Sequence, residues 1–198
     1  MELRPDYPII TERLTLRPLR ASDAAALLSY RSIPEVCRWV PFEPMNAAEI
    51  ATRLAGQWAS TTIDDEGQHL TLGVELTATG ELVGDVVLML HSREHRSGEI
   101  GYIMHPAHAG RGYATEAVRT LLRLAFEDLG LHRVAARVDA RNAQSARLAT
   151  RLGMRQEAHL RSNEWFKGEW SDKLVFAMLD EEWASRRPEP LPNDPGAS

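Results

Sequence analysis

The sequence contains a single cysteine, Cys37, among its 198 residues. One cysteine excludes an internal disulfide framework and favours a reducing compartment, and a lone cysteine is more often a small buried hydrophobic residue than a catalytic thiol. We therefore expect this thiol to lie in the interior, and any group transfer to proceed without a covalent cysteine intermediate.

Long apolar runs and an excess of basic residues are also missing. The N-terminal segment lacks the apolar stretch of a signal peptide, and no later stretch reaches the roughly 18 apolar residues of a membrane span. The chain has 23 Lys and Arg against 28 Asp and Glu, for a net charge of −5. This balance argues against a protein that binds nucleic acid by broad phosphate neutralisation. We expect a cytoplasmic protein with neither a membrane nor a nucleic-acid partner.

Clusters of metal ligands are not evident either. His91 and His95, and also His105 and His108, have spacings that a metal could use, but no cysteine or group of carboxylates accompanies them. We expect these histidines to be polar surface residues and the protein to hold no metal.

The composition that is present is that of one ordinary globular domain, with 43% hydrophobic and 26% charged residues. Residues 1–8 carry two prolines and several charges, which predicts a flexible N-terminal arm. Residues 186–198 contain four prolines and no apolar cluster, which predicts a disordered tail. The domain itself is expected to span residues 9–185.

The hydrophobic pattern predicts a mixed succession of elements. Strands are predicted at 11–20, 69–76, 81–91, 98–105 and 132–139, and two more within 154–179, joined near Lys167 and Gly168. Helices are predicted at about 23–32, from Asn46, from Tyr113 to Gly130 and from Asn142 to Gly153. This order predicts an α+β fold in which helices flank a mixed, mostly antiparallel sheet.

A glycine-rich turn at 105–117, HPAHAGRGYATEA, carries the strongest chemical signal. A strand ends, the chain passes through Gly110 and Gly112, and a long helix begins at once without a Ser, Thr, Asp or Asn cap. A helix start carries unpaired N–H groups and a partial positive charge. Glycines leave these groups accessible, so the turn predicts a phosphate-binding loop.

Three kinds of phosphate site are compatible with such a turn in principle. A Walker loop needs Gly-Lys-Ser/Thr, which is missing here. A dinucleotide fingerprint needs a third glycine where Thr115 stands and an acid about 20 residues further on, for which Asp139 is a loose candidate. The third kind is a loop that binds the pyrophosphate of an acyl-CoA.

The acyl-CoA loop is the kind of phosphate site for which the sequence resembles a known family. AGRGYATEA resembles the acyl-CoA pyrophosphate loop of the GCN5-related N-acetyltransferases (GNAT), and EIGYIMHP, RNAQSARLATRLGM and EWFKGEW resemble their RimJ/RimL-type branch, which acetylates protein N-termini. The resemblance extends from TERLTLRPL to LVFAML, and the predicted element order matches the family fold. One departure is Ala109, where the family loop usually has Gln or Arg.

The resemblance implies acetyl-CoA as acyl donor and a set of residues that bind it. They come from the strand before the loop, from the loop and from the next helix cap: Ile103, Met104, Gly110, Arg111, Gly112, Tyr113, Ala114, Thr115 and Asn142. It also implies that Glu164 is the general base and that Ser145 donates a proton to the leaving thiolate.

Two carboxylates nevertheless compete for the role of base. Glu164 stands among aromatic residues, where partial burial would raise its pKa, whereas Glu99 lies on the strand that runs beside the acyl chain in the resembled family. The expected reaction is direct, base-assisted attack of a primary amine on acetyl-CoA, the amine being that of a protein or peptide N-terminus.

Several alternatives stay open. The acceptor could be a small molecule such as an amino sugar, antibiotic, polyamine or amino acid, and the protein could be a non-catalytic acyl-CoA-binding module. Trp39, Phe42 and Trp58 are expected either to line the acceptor pocket or to pack in the core. The sequence is compatible with a homodimer without requiring one.

Overall fold

A computed structural model describes residues 1–186 of the chain. The strands are β1 (Ile9–Ile10), β2 (Leu14–Pro18), β3 (His69–Leu76), β4 (Leu82–Ser92), β5 (Ser97–Met104), β6 (Arg133–Asp139), β7 (Arg155–Phe166) and β8 (Glu169–Leu179). The helices are α1 (Ala24–Arg31), α2 (Pro34–Cys37), α3 (Ala47–Ala55), α4 (Tyr113–Arg123), α5 (Ala143–Leu152) and α6 (Asp180–Ala184). The helix after the glycine-rich turn continues beyond α4 through one π-helical turn, Leu124–Asp128.

The eight strands form one sheet in the order β1-β2-β3-β4-β5-β6-β8-β7. Neighbouring strands are antiparallel except β5 and β6, which are parallel because α4 carries the chain from one to the other. The predicted α+β fold, with a mixed and mostly antiparallel sheet, is confirmed.

Helices cover both faces of the sheet, and alternation along the strands divides the side chains between two cores. α4 and α5 pack on a face built from Leu72, Leu88 and Ile100, among others. α1 and α3 lie over the opposite face, where a smaller core includes Tyr30 and Ile103. The face under α1 and α3 also carries Asp85 and Glu99, whereas Tyr102 lies on the opposite face.

The central feature of the sheet is a split between β5 and β6. Only the first residues of the two strands pair, and the last pair is Glu99 with Ala135. Beyond it, residues 100–104 of β5 keep their antiparallel pairing with β4 and have no partner on β6. One edge of the β5 backbone therefore faces an open cleft.

The first residues of the chain are more ordered than the flexible arm that their composition predicts. Leu3 is fully buried and pairs with Ile63, with hydrogen bonds of 2.7 and 3.1 Å between their backbones. The Tyr7 hydroxyl donates to the Thr61 carbonyl. Burial of one leucine outweighs the local effect of the prolines. The predicted disordered tail, apart from Arg186, lies outside the described residues.

The segment between the first two predicted helices also differs from expectation. Pro34, just beyond the predicted end of the first helix, begins the four-residue helix α2. Proline fits the first position of a helix because its missing N–H would have no partner there. The short helix places Cys37 in the interior, where burial raises the pKa of its thiol, as expected for a residue without a nucleophilic role. In the described part of the chain, no helix is long and apolar enough to cross a membrane.

Candidate active site

The glycine-rich turn has the backbone conformation of an anion-binding loop. Gly110 and Gly112 have φ angles of +77° and +83°, a region that L-residues other than Gly rarely adopt. Gly112 occupies the N-cap of α4, and no side chain caps the helix. Among residues 1–186, no acceptor is bonded to the backbone N–H groups of 110–115. The helix start therefore presents a row of unpaired donors, which is suited to a phosphate.

A distant segment of the chain fixes this loop. The Arg13 guanidinium donates to the Arg111 carbonyl at 2.9 Å and pairs with the Glu116 carboxylate at 2.7 Å. Thr11 and the Arg13 backbone donate to the same carboxylate at 2.6 and 2.9 Å. These contacts hold the pKa of Glu116 below its usual range, despite its partial desolvation. The loop is thus held in its open shape before any ligand arrives.

Strand β5 leads from the loop into the cleft. His105 donates its N–H to the Val83 carbonyl, which sets the phase of the antiparallel ladder. By alternation, the backbone of Ile103 faces β4, whereas those of Tyr102 and Met104 face the cleft. Of the two strand residues predicted to contact the acyl donor, only Met104 presents its main chain to the cleft. Ile103 contributes its side chain to the cavity wall.

The cap of α5 approaches the other side of the cleft. Asn142 accepts a hydrogen bond from the Ser145 N–H at 3.1 Å, as predicted for an N-cap. The Ser145 hydroxyl lies 2.9 Å from that of Tyr102, and the two share a hydrogen bond across the split. Burial raises the pKa of Tyr102, so this phenol is protonated over the physiological range.

Strand β5 and the start of α5 border one cavity of about 430 Å³. Asn142 and Ser145 line its cleft end, and Glu99 and Tyr102 line its β5 wall. The opposite end is formed by aromatic and polar side chains, which are Arg31, Trp39, Phe42, Arg53, Trp58, His69 and Asp85. Trp39, Phe42 and Trp58 thus line the pocket, the first of the two roles proposed from the sequence. Trp58 is also part of the smaller core.

A family model described as an acetyltransferase (GNAT) domain matches residues 13–155. A Bacillus licheniformis protein named as the uncharacterized N-acetyltransferase p20 is 32% identical over 89% of this chain and 98% of its own length. The chain is a GNAT acetyltransferase.

Two other similarities bear on the acceptor and the acyl donor. A Bacillus subtilis protein, YdaF, whose name assigns it provisionally to the ribosomal N-acetyltransferases, is 28% identical over 90% of this chain and 97% of its own. The solved structure of spermidine N-acetyltransferase from Vibrio cholerae with CoA and spermine has a TM-score of 0.75, at 24% identity over 88% of this chain and 99% of that one. At that identity the likeness shows a shared fold.

GNAT acetyltransferases use acetyl-CoA, and its pyrophosphate is the kind of anion that free donors at a helix start can bind. The dinucleotide alternative finds no support in the geometry. Asp139, its candidate acid, is buried, and both of its carboxylate oxygens accept hydrogen bonds from Arg141 at 2.8 and 2.9 Å. It is therefore engaged within the chain.

In this acetyltransferase Glu99 is the carboxylate of the cavity wall that lies where β5 and β6 separate. Its side chain is only 17% exposed. Arg137 lies 3.3 Å away and His91 lies 3.6 Å away. Desolvation outweighs the effect of these neighbours and raises the pKa of Glu99 above its usual value. A carboxylate of this kind can accept a proton from an ammonium group.

Glu164 has a different environment from the one predicted. Its side chain is 38% exposed, pairs with Lys173 at 2.5 Å and does not line the cavity. The neighbouring Trp165 and Trp170 are 63% and 61% exposed, so they do not enclose the carboxylate. The aromatic burial inferred from the sequence is therefore wrong, because these residues lie near the exposed turn of the β7–β8 hairpin.

The histidines considered as metal ligands in the sequence make other contacts in the structure. No group of three or more metal-binding side chains occurs within residues 1–186. Instead, His91 lies near Glu99, His108 pairs with Glu81 at 3.0 Å, and His105 accepts a hydrogen bond from the Ala107 N–H.

Proposed function

We propose that this protein transfers the acetyl group of acetyl-CoA directly to the α-amine of a protein or peptide N-terminus. Three observations support the proposal: the unpaired N–H groups before α4, the open edge of β5 that leads from them towards the cavity, and the buried Glu99 in the cavity wall. The similarity to YdaF supports the choice of acceptor.

In this proposal the pyrophosphate of acetyl-CoA binds to the N–H groups of residues 110–115, where the helix dipole adds to the attraction. Arg111 supplies a further charge near the phosphates. The pantetheine arm follows the open edge of β5 and pairs with the backbone at Met104. Asn142 contacts the donor from the opposite side of the cleft while it caps α5.

The chemical step requires a neutral amine. Glu99 accepts the ammonium proton, directly or through a water molecule, and the amine nitrogen attacks the thioester carbonyl carbon. The backbone N–H of Met104 stabilises the oxyanion that develops. We assign the role of base to Glu99 because it lines the cavity, which Glu164 does not, and because burial raises the pKa of the Glu99 carboxyl.

Glu99 passes the first proton to solvent and then accepts the second proton from the attacking nitrogen, so that a neutral amide can form. Collapse of the tetrahedral intermediate breaks the C–S bond and releases the CoA thiolate. Ser145 donates its hydroxyl proton to that sulfur and recovers a proton from Tyr102, to which it is hydrogen-bonded. The tyrosine regains its proton from solvent after the product leaves.

The assignment is tested by paired variants, Glu99→Gln and Glu164→Gln, in an assay of free CoA release with an N-terminal peptide. General-base catalysis typically contributes 10²–10⁴-fold, so we expect Glu99→Gln to lower kcat by roughly that factor and to leave acetyl-CoA binding intact. Glu164→Gln should stay close to the wild type. Loss of activity in Glu164→Gln with full activity in Glu99→Gln would overturn the assignment.

A further inference from the structure

The charged residues that line the cavity are not all paired with one another. The charged lining residues are Arg31, Arg53, Asp85, Glu99, Arg137 and Asp139. Each of the three carboxylates has an arginine partner: Asp85 pairs with Arg31, Glu99 with Arg137, and Asp139 with Arg141. In the part of the chain that the structure describes, Arg53 has no carboxylate partner and donates only to Gln57.

Arg53 belongs to a cluster at the acceptor end of the cavity, built around two aromatic rings. The Arg31 guanidinium lies 5.1 Å from the Phe42 ring centroid and 4.5 Å from that of Trp58. The Arg53 guanidinium approaches the same two rings, at 5.9 and 5.7 Å. Two guanidinium groups thus stand beside a single carboxylate, Asp85, so this end of the cavity carries one excess positive charge.

Arg31 is held in place by its hydrogen bonds to Asp85, and one of its donor groups is left without an acceptor. Its Nε and Nη2 donate to Asp85, at 3.1 and 2.5 Å, and Tyr30 donates to the same carboxylate at 2.6 Å. Its Nη1 has no acceptor among residues 1–186. A rigid guanidinium with a free edge, beside a second arginine, is suited to a planar carboxylate.

A third polar group in the lining also has no partner. The Nε2 atom of His69 is buried in the cavity wall without a hydrogen bond, the only buried polar side-chain atom of that wall in this state within the described residues. Unpaired buried polar atoms are rare, and their partner is often a ligand or a water molecule. His69 therefore offers one more contact to a polar acceptor.

We propose that the acceptor carries a carboxylate close to its reactive amine, and that Arg53 and the free edge of Arg31 bind that carboxylate. The inference rests on the proposed acetyltransferase function and narrows its substrate class. The carboxylate belongs either to an acidic side chain at a peptide N-terminus or to a free amino acid. A polyamine, which brings further positive charges, is disfavoured by this cluster.

The test compares acceptors that differ only in this charge. Peptides with Glu or Gln next to the N-terminal residue form one pair, an α-amino acid and its amide form a second, and spermidine is the cationic arm. For each acceptor, kcat/KM is measured by CoA release from acetyl-CoA, and binding is measured by calorimetry with CoA present. A charge-assisted hydrogen bond corresponds to about 10- to 100-fold in affinity, so we expect a preference of that size for at least one carboxylate acceptor.

The decisive variant is Arg53→Gln, with Arg53→Lys as the conservative replacement and Arg161→Gln as a control for loss of charge on an exposed strand residue. For each acceptor, kcat/KM of the variant is divided by that of the wild type. This ratio removes differences in the intrinsic reactivity of the amines. We expect Arg53→Gln to remove the preference by lowering kcat/KM more for each carboxylate acceptor than for its uncharged counterpart. Arg53→Lys should keep part of the preference, and Arg161→Gln should keep all of it.

The outcomes separate this inference from the proposed function. Turnover without any preference for carboxylate acceptors, a preference for spermidine, or a preference that survives in Arg53→Gln would overturn the inference and leave the acetyltransferase function standing. Arg53-dependent binding of carboxylate amines without CoA release would support the inference and overturn the proposed reaction.

Discussion

The phosphate loop gives the sharpest perturbation, because the chain offers a matched pair of glycines. Gly112 and Gly80 both have left-handed backbones, with φ of +83° and +72°. Gly112 caps α4 at the proposed pyrophosphate site, whereas Gly80 lies in the turn between β3 and β4. Alanine at either position must adopt the same unfavourable conformation, so the backbone strain is matched between the two variants.

The expected stability loss is modest and similar in the two variants. A left-handed L-residue costs about 1–2 kcal/mol, which lowers Tm by roughly 2–8 °C in a chain of this size. At Gly112 the new Cβ would also approach the Arg13 guanidinium to 3.3 Å, so that side chain must shift by a few tenths of an ångström. At Gly80 nothing lies within 4 Å of the added Cβ. Both variants should therefore fold.

The expected binding effects differ. In Gly112→Ala the new methyl group stands at the helix start, where a phosphate oxygen must approach. We therefore expect acetyl-CoA to bind about tenfold more weakly, which corresponds to a loss of about 1.4 kcal/mol in binding free energy. A ligand at 100 times its Kd stabilises the native state by about 2.7 kcal/mol, and at 10 times its Kd by about half of that. At one fixed acetyl-CoA concentration, the ligand-induced rise in Tm should therefore fall by about half in Gly112→Ala.

Differential scanning fluorimetry with and without acetyl-CoA measures both quantities in one experiment. Gly80→Ala should lose stability and keep the full ligand-induced rise in Tm. If Gly112→Ala keeps the same rise as Gly80→Ala, the pyrophosphate does not bind at the start of α4.

Other perturbations probe the remaining parts of the site. Ser145→Ala should lower kcat by about 10- to 100-fold, and Tyr102→Phe should act in the same direction, since both belong to the proposed proton path; full kcat in Ser145→Ala would remove this role. Protonation of Glu99 inactivates the base, so kcat should fall at acid pH. Because the pKa of Glu99 is raised, the midpoint of this fall should lie above the usual glutamate value of about 4.3, and a midpoint at or below that value would contradict the assignment. Asp85→Asn should lower the free energy of unfolding by about 3–5 kcal/mol in urea titration, since it leaves Arg31 buried without its counter-charge; an unchanged midpoint would show that this pair is not needed for stability.

The sequence was most informative where a signal is local. The glycine turn, the Asn142 cap and the hairpin turn at Lys167 and Gly168 each depend on residues a few positions apart, and each is confirmed. The strands of the sheet are likewise predicted from their own alternation. In these cases backbone chemistry and the spacing of apolar residues determine the outcome.

The rest depends on contacts between residues far apart in the chain. The clamp of Arg13 on Arg111 and Glu116 joins positions about a hundred residues apart, and no spacing rule predicts it. Glu99 and Glu164 look equivalent as single acids on strands. They differ only because β5 lies inside the sheet, while β7 forms its edge.

The most direct test of the central claim follows both products of one reaction. The protein is incubated with acetyl-CoA and a peptide with a free N-terminus, and with the same peptide blocked at its α-amine. We expect free CoA and α-N-acetylated peptide to form in equal amounts, detected by thiol titration and mass spectrometry, and neither to form with the blocked peptide. CoA release without peptide acetylation, or acetyl-CoA binding with no release in the presence of any free amine, would contradict the proposed function.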